Sequence, residues 1–451
     1  MSYRHEAIND PSGNAANPAH PYDRYYGINA VGAVGSRNVK SAFYEVSAPI
    51  IDQLELSASG RYDDYSSGQN NFSPKFGAKL KPIKQILLRG TWSKGFRIPS
   101  FNEAYGLPTT GYTTLSIACG TDANPGPYAA FCRSHSPDNT LANANTYATG
   151  QYSLGRTSFG NVNLAPEKST SWTLGAVFEP IRNVSFTLDY FNIKVKDVIS
   201  GLSAGDQAAV LDAYLRNGTL TGVVPNVTVV PGVVDAQFPN ARALPAFVQF
   251  PFSNSDEEAV QGIDIGFDIR HDFGGVKLYS SFDASYLIKY QVTRKDGSVE
   301  RYDGSLSPCD YSSCSGSPKW RGTWQNTLSI GGFSLTGTVY YTKGYSLGSV
   351  DYGGNRGTST ADCRANIGHS VVTYQDGNPV LCKVGAQWNA DLSASYRIND
   401  NFMIYANALN FLNIKANFDP SAAYSIMQYN PAWSQANVVG RYFRLGTKID
   451  F

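Results

Sequence analysis

The stretch Val276-Lys277-Leu278-Tyr279-Ser280-Ser281-Phe282-Asp283-Ala284-Ser285-Tyr286-Leu287-Ile288-Lys289-Tyr290 sets Val276, Leu278, Phe282, Ala284, Tyr286, Ile288 and Tyr290 on one parity. Lys277, Ser281, Asp283, Ser285 and Lys289 fall on the other. Successive side chains of a strand leave opposite sides of its sheet, so this segment has one oily face and one wet face. Trp388, Ala390, Leu392, Ala394 and Tyr396 alternate in the same way with Asn389, Asp391, Ser393, Ser395 and Arg397. So do Ile263, Ile265, Phe267 and Ile269 with Asp264, Asp268 and Arg270. Each belongs to a segment of about ten residues or more, enough for a tilted strand to cross a bilayer.

Composition points the same way. Charged residues make up 16% of the chain, against roughly 25% in an average soluble domain. The 29 Tyr and 23 Phe raise the aromatic share to 13%, and aromatics favour strands and the girdles where a barrel meets lipid headgroups. No apolar run approaches the roughly eighteen residues of a membrane helix, so a membrane crossing has to be made by strands. The net charge is +1 with no basic block, which gives no electrostatic reason to expect nucleic acid as a partner.

The connections fix the expected architecture. Tight turns are read at Pro49-Ile50-Ile51-Asp52, Lys81-Pro82-Ile83-Lys84, Glu179-Pro180-Ile181-Arg182, Asp272-Phe273-Gly274-Gly275, Ile330-Gly331-Gly332-Phe333 and Arg397-Ile398-Asn399-Asp400. Long linkers lie between these hairpins, at about 98–167, 199–256, 291–318, 347–384 and 414–439, and linkers of that length are uncommon unless functional. Their place on every second connection puts them all at one end of the sheet. That is the pattern of an all-β transmembrane antiparallel β-barrel with short periplasmic turns and long extracellular loops. Thirteen strands are legible, and Ser2-Tyr3-Arg4-His5-Glu6 suggests a fourteenth before a loop at 10–37. Gly205 to Asn217 reads as a short helix inside a loop.

Six cysteines fall as local pairs in three of the loops: Cys119 with Cys132, Cys309 with Cys314, and Cys363 with Cys382. An even count in local pairs suggests loop staples made in an oxidising compartment. Metal binding is not expected, because of His5, His20, His135, His271 and His369 only His135 lies near a pair. No HExxH, GxSxG, phosphate-loop or CxxC pattern occurs. Gly353-Gly354-Asn355-Arg356-Gly357 has no helix after it and reads as a flexible loop. Neither catalysis nor a cofactor is expected. At the C-terminus Phe443, Leu445, Ile449 and Phe451 share a face opposite Arg444, Lys448 and Asp450. The final Phe451 resembles the terminal signal read by the barrel-assembly machinery of outer membranes.

The run Leu87-Leu88-Arg89-Gly90-Thr91-Trp92-Ser93-Lys94-Gly95-Phe96-Arg97-Ile98-Pro99-Ser100-Phe101-Asn102-Glu103 resembles the TonB-dependent receptor motif "lRgt.s.gFRaPs..El", in which a strand rises to a large loop. Arg61-Tyr62-Asp63-Asp64-Tyr65-Ser66 and Ser73-Pro74-Lys75-Phe76-Gly77 resemble that family's "RYsdYs" and "pK.g" elements. Asn163-Leu164-Ala165-Pro166-Glu167-Lys168-Ser169 resembles its "nL.pEks" re-entry. Asp189-Tyr190-Phe191-Asn192-Ile193 and Asn407-Ala408-Leu409-Asn410-Phe411-Leu412-Asn413 resemble its "DYf.I" and "N.fn" elements. The likeness runs through nearly the whole chain, in order.

The resemblance implies a barrel of twenty-two strands behind a plug domain, importing a scarce ligand with energy from the inner-membrane TonB complex. Met1 to Glu6 is polar with no apolar stretch after it, so no export signal is expected, and the first strand leaves no room for a plug. Residues 1–451 are therefore expected to match the C-terminal part of the family barrel, about its last fourteen strands. TonB then becomes a partner only if another chain supplies the plug. The other expected partners are outer-membrane lipid, the assembly machinery and a small-molecule or glycan ligand such as a siderophore or cobalamin. Within the motif, Arg97 is expected to face the lumen, Pro99 to end the strand for want of an amide hydrogen, and Glu103 to pair with an arginine or cap a turn. Tyr105, Tyr112, Tyr341 and Tyr345 are candidates to line a ligand vestibule, although girdle and packing roles are commoner for such tyrosines. Two alternatives stay open: a self-closed fourteen-stranded passive channel, and a soluble β-sandwich burying its apolar face between two sheets.

Overall fold

A computed structural model describes residues 1–10, 32–295, 297, 299–305, 309, 310, 313, 314, 316–346, 383–419, 429–434 and 437–450. Fourteen antiparallel strands follow one another through a single sheet in chain order. They are β1 (Ser2–Asp10), β2 (Ala33–Ile51), β3 (Leu54–Tyr65), β4 (Asn70–Ile83), β5 (Ile86–Arg97), β6 (Glu167–Ile181) and β7 (Val184–Ser200). Then come β8 (Ser253–Asp272), β9 (Val276–Thr293), β10 (Trp320–Ile330), β11 (Phe333–Thr342), β12 (Gln387–Asn399), β13 (Phe402–Leu409) and β14 (Tyr442–Ile449). The fourteenth strand suggested at Ser2 is present as β1, paired with β2 from Ser2↔Ser41 to Asp10↔Ala33. No helix among the described residues is long and apolar enough to cross a membrane.

The register assigns the two faces. Phe186, Phe267 and Phe282 face one another across β7, β8 and β9, with the Phe267 and Phe282 rings stacked at 5.3 Å. Leu188, Leu174, Trp172, Trp324, Trp388 and Leu392 share that side and stay exposed. A broad exposed apolar face is what a sheet needs against hydrocarbon, and it leaves no role for a soluble sandwich. The opposite face is polar and internally paired: Arg89 forks onto Asp189 at 2.8 and 2.5 Å, Tyr279 donates to Asp268 at 2.9 Å, and Thr327 meets Thr336 at 2.8 Å. Gly175 makes the Arg89–Asp189 pair fit, since a Cβ there would stand 1.9 Å from Asp189 Oδ1.

Two details differ from the sequence expectation, each for a local reason. The turns expected to begin at Pro49, Lys81, Glu179 and Arg397 instead reverse at Asp52-Gln53, Lys84-Gln85, Arg182-Asn183 and Asp400-Asn401. Pro49, Pro82 and Pro180 lie inside strand ends where the register slips, so a missing amide costs no ladder bond. Alternation in β9 holds through Tyr286. Gln261 then pairs with Lys289 and Gly262 with Leu287, leaving Ile288 as the extra residue of a bulge. Tyr290 is thereby turned from the oily side onto Tyr302, with ring centroids 5.1 Å apart.

Among the described residues β1 pairs only with β2, and β14 only with β13. Among the described residues the sheet is therefore open between β1 and β14. All long connections leave from one end, and strands such as the 20-residue β8 outrun the roughly 25 Å apolar band of a membrane barrel. Their loop-side ends therefore stand clear of lipid.

The two faces predict opposite tolerances. Leu188→Arg, at mid-strand on the apolar side, is expected to cost about 2–4 kcal/mol of unfolding free energy in lipid vesicles. Ser281→Lys, on the polar side opposite Asp268, is expected to cost less than about 1 kcal/mol. Denaturant unfolding in vesicles measures both.

Candidate functional site

Arg97 ends β5 on the polar side and holds two carboxylates. Its Nε and Nη2 donate to Glu167 on β6 at 2.7 and 2.5 Å, and its Nη1 and Nη2 donate to Glu103 at 2.7 and 2.9 Å. Bidentate pairs of this kind are the strong, directional ones. Glu103 also closes a capping box, accepting the Ser100 amide at 2.7 Å while its own amide donates to Ser100 Oγ at 3.2 Å. This starts the short helix Phe101–Tyr105. Burial acts to raise the Glu103 carboxyl, but the hydrogen bonds from Arg97 and Ser100 outweigh it and hold the group below its ordinary value of 4.5. Pro99 is buried, with its carbonyl accepting from Arg37 at 2.8 Å, and the Arg37 guanidinium lies 4.6 Å from the Phe101 ring centroid. The motif thus steers the chain from β5 back over the barrel rim to β2, bracing the exit of the longest loop.

The connections β5–β6 and β7–β8 fold together into one module above the rim. A four-stranded sheet runs in the order Thr228–Pro231, Pro245–Pro251, Gln151–Phe159, Thr109–Ser116, and its central parallel pair joins one loop to the other. The predicted loop helix is present as Ala204–Asn217, capped by Ser203 and ended by Gly218 in the left-handed region (φ 74°). Its Val210, Leu211, Tyr214 and Leu215 pack with Phe131, Leu154, Val229 and Val248 into a buried core. Cys119 and Cys132 form a disulfide inside that core, with Cα atoms 5.8 Å apart. The backbones of Cys309 and Cys314 are direct partners in a two-residue ladder, while Cys363 and Cys382 lie outside the described residues, as does Phe451.

The four tyrosines separate. Tyr105, stacked on Phe101, and Tyr112, tilted against Phe247, are exposed on the loop side. Tyr341 lies on the outward apolar face against Trp388, ring centroids 4.5 Å apart. Tyr345 is buried, donates to Asp419 and meets Trp433 edge-on. Neither of these two lines a vestibule: sequence places both near the loops, but parity and burial point them elsewhere.

Sequence reasoning missed two other features. Arg294 reaches from the β9–β10 connection to Asp256 at 2.7 Å and Glu300 at 2.5 Å, both carboxylates 3% exposed. Asp256 opens the acidic run Asp256-Glu257-Glu258, but its partner lies 38 residues away, and Glu257 turns instead to Lys194 at 2.5 Å. The second feature is a cleft of about 330 Å³ under the module, lined by Asn161, Asp206, Phe250, Phe252, Asn254 and Lys295. It offers one acid, one base and an apolar floor. His135 belongs to neither feature; it is buried between Phe131 and Tyr147, with Nδ1 2.9 Å from the Phe131 carbonyl. Among the described residues no group of three or more His, Cys, Asp or Glu side chains is arranged to hold a metal ion.

An apolar exterior, a paired polar interior and a one-sided loop module define an outer-membrane β-barrel. The family model described as TonB dependent receptor-like, beta-barrel matches residues 1–411, and the chain belongs to that family. Its fold is similar to a point mutant of the ferric enterobactin receptor PfeA of Pseudomonas aeruginosa, at TM-score 0.57 and 16% identity over 100% of this chain and 50% of that one. The siderophore receptor PirA of Acinetobacter baumannii gives TM-score 0.55 and 15% identity over 92% of this chain and 46% of that one. The FrpB iron transporter of Neisseria meningitidis (F3-3 variant) gives 0.50 and 13% over 100% and 51%. The chain spans about half the length of these solved structures. No curated protein matches it.

Two outcomes follow from the brace and the staple. With the folded Glu103 carboxyl below its unfolded value, its contribution to the loop exit is complete above about pH 4.5 and is lost as the pH falls through the folded value. The hydrogen-exchange protection of residues 98–108, taken relative to the intrinsic rate at each pH, should therefore fall below about pH 4.5, and Glu103→Gln should flatten that dependence. Reducing the Cys119–Cys132 bond, which closes a separation of 13 residues, is expected to weaken the module by about 3 kcal/mol. Exchange protection of Ala204–Asn217 reports it.

Proposed function

We propose that this chain works as the C-terminal part of a receptor barrel for energy-coupled uptake of a scarce ligand, with the remaining strands and a plug supplied by sequence beyond these residues. The observation that carries this reading is the shared location of the Arg97 brace, the stapled two-loop module and its cleft, all at the long-loop end of the sheet above a polar interior wall. A passive pore needs no folded, disulfide-fixed collector at its mouth. The open edges at β1 and β14 support the second half of the proposal, because ladder groups facing hydrocarbon without partners cost several kcal/mol each. TonB enters through the plug, and the barrel-assembly machinery through the C-terminal strand.

Tyr105 beside the module and Tyr112 on its Thr109–Ser116 strand, both exposed, are the aromatic surface offered to an incoming ligand, and the cleft with Asp206 and Lys295 offers a polar subsite. Ferric siderophores come first as probes because the similar structures include receptors named for siderophores and for ferric enterobactin. Cobalamin and an oligosaccharide complete the set. The chemistry is binding and transfer, and no catalytic step is assigned.

Cells carrying the gene for this chain, and cells deleted for it, should be compared for uptake of labelled ferric enterobactin, cobalamin and a malto-oligosaccharide, with and without a protonophore. Gene-dependent, saturable uptake of one probe that the protonophore stops is the expected result. Uptake that rises linearly with concentration and ignores the protonophore would identify a passive channel.

A further inference from the structure

Four lysines stand on the outward side of three neighbouring strands near their loop-side ends. Trp92 on β5 faces Trp172 on β6 on the apolar side, and that side continues upward through Lys94 and Thr170 to Lys168. On β7, Lys196 is the direct partner of Lys168, and Lys194 the direct partner of Thr170. Lys194 is neutralised by Glu257 at 2.5 Å. Lys94, Lys168 and Lys196 are exposed, and among the described residues no carboxylate lies within ion-pair distance of them. Directly opposed side chains have Cβ atoms about 5 Å apart, diagonal neighbours about 7–8 Å, and like charges placed so destabilise a sheet. Three uncompensated ammonium groups at the lipid boundary leave room for an anion that bridges them.

Directly below the lysines the same outward face is concave. A groove of about 570 Å³ has a floor of small residues, Ala58, Ala78 and Gly90, and walls of Phe76, Trp92 and Trp172. Trp92 belongs to both features, with Lys94 Nζ 5.8 Å from its ring centroid. We propose that this surface holds an outer-leaflet lipid with a phosphorylated headgroup: the phosphate bridges Lys94, Lys168 and Lys196, and an acyl chain lies along the groove. Charge complementarity selects the headgroup. The continuity of lysines and groove through Trp92 selects a lipid over a free anion, and the long-loop end places it in the outer leaflet. A row of lysines that merely snorkels would gain nothing from setting Lys168 opposite Lys196.

The test uses the full chain purified in detergent, with bound lipid measured by native mass spectrometry. The probes are bis-phosphorylated lipid A, zwitterionic phosphatidylethanolamine and inorganic phosphate. The wild type is expected to retain lipid A over phosphatidylethanolamine. The triple variant K94Q/K168Q/K196Q should lose that retention by roughly 100-fold, from about a factor of five to ten per lysine, and the corresponding triple arginine variant should keep it. Ala78→Phe, which fills the groove, should weaken lipid A while leaving the response to inorganic phosphate unchanged. Heat-modifiable electrophoretic mobility and circular dichroism confirm folding of each variant. Equal retention of both lipids by the wild type, or unchanged retention by the glutamine variant, would overturn the proposal. Full displacement of lipid A by millimolar phosphate would also overturn it, showing an anion site with no acyl groove.

Discussion

A backbone amide or carbonyl in hydrocarbon has no water to bond, so every segment at membrane depth must find its partners in a neighbouring strand. The consecutive ladder from β1 to β14 is the consequence, and the other features adjust to it. Pro49, Pro82 and Pro180 sit only where the register slips at the turn-side ends. The bulge at Ile288 falls near the loop-side end of β9, where water is again available to an unpaired group. Once the ladder is fixed, parity alone decides that Leu188 meets lipid and Asp189 meets Arg89 across the lumen wall.

At the loop-side rim the problem changes from satisfying the backbone to holding long excursions in place. Arg97 does this by forking onto Glu103 and Glu167, tying the first turn of the exiting loop to the strand where the chain returns. Arg294 does the same from the β9–β10 connection, between Asp256 at the start of β8 and Glu300. Removing one partner of such a pair leaves a charge poorly solvated and costs more than the pair itself contributes. The module above then adds what a rim cannot: its own apolar core and a covalent staple.

The strands, their faces and the side from which the loops leave were legible because lipid outside and water inside impose a period of two, as in Trp388 to Arg397. The motif around Arg97 was legible as a family resemblance, and with it the expectation that Glu103 pairs with an arginine or caps a turn; the Ser100 partner of that cap came only with the structure. What sequence could not show was convergence between distant loops. Tyr152 and Tyr214 meet in one core, and Asp256 finds Arg294, through contacts that local periodicity does not encode. Tyr341 and Tyr345 were misplaced for a related reason, since nearness to a loop in sequence does not fix which way a ring points. The proline turns failed because a bulge accommodates proline as well as a turn does.

The faces themselves are open to a direct measurement, because five of the six tryptophans lie on strands: Trp92, Trp172, Trp320, Trp324 and Trp388. All five carry the parity of the outward side, while Trp433 packs in a loop against Tyr345. Tryptophan emission of a Trp433→Phe variant should be recorded in vesicles of ordinary lipid and of lipid brominated along its acyl chains. Bromine in contact with the rings should quench most of the emission. Emission that stays as bright in brominated as in ordinary lipid would contradict the assignment of the apolar face to the membrane, and with it the barrel.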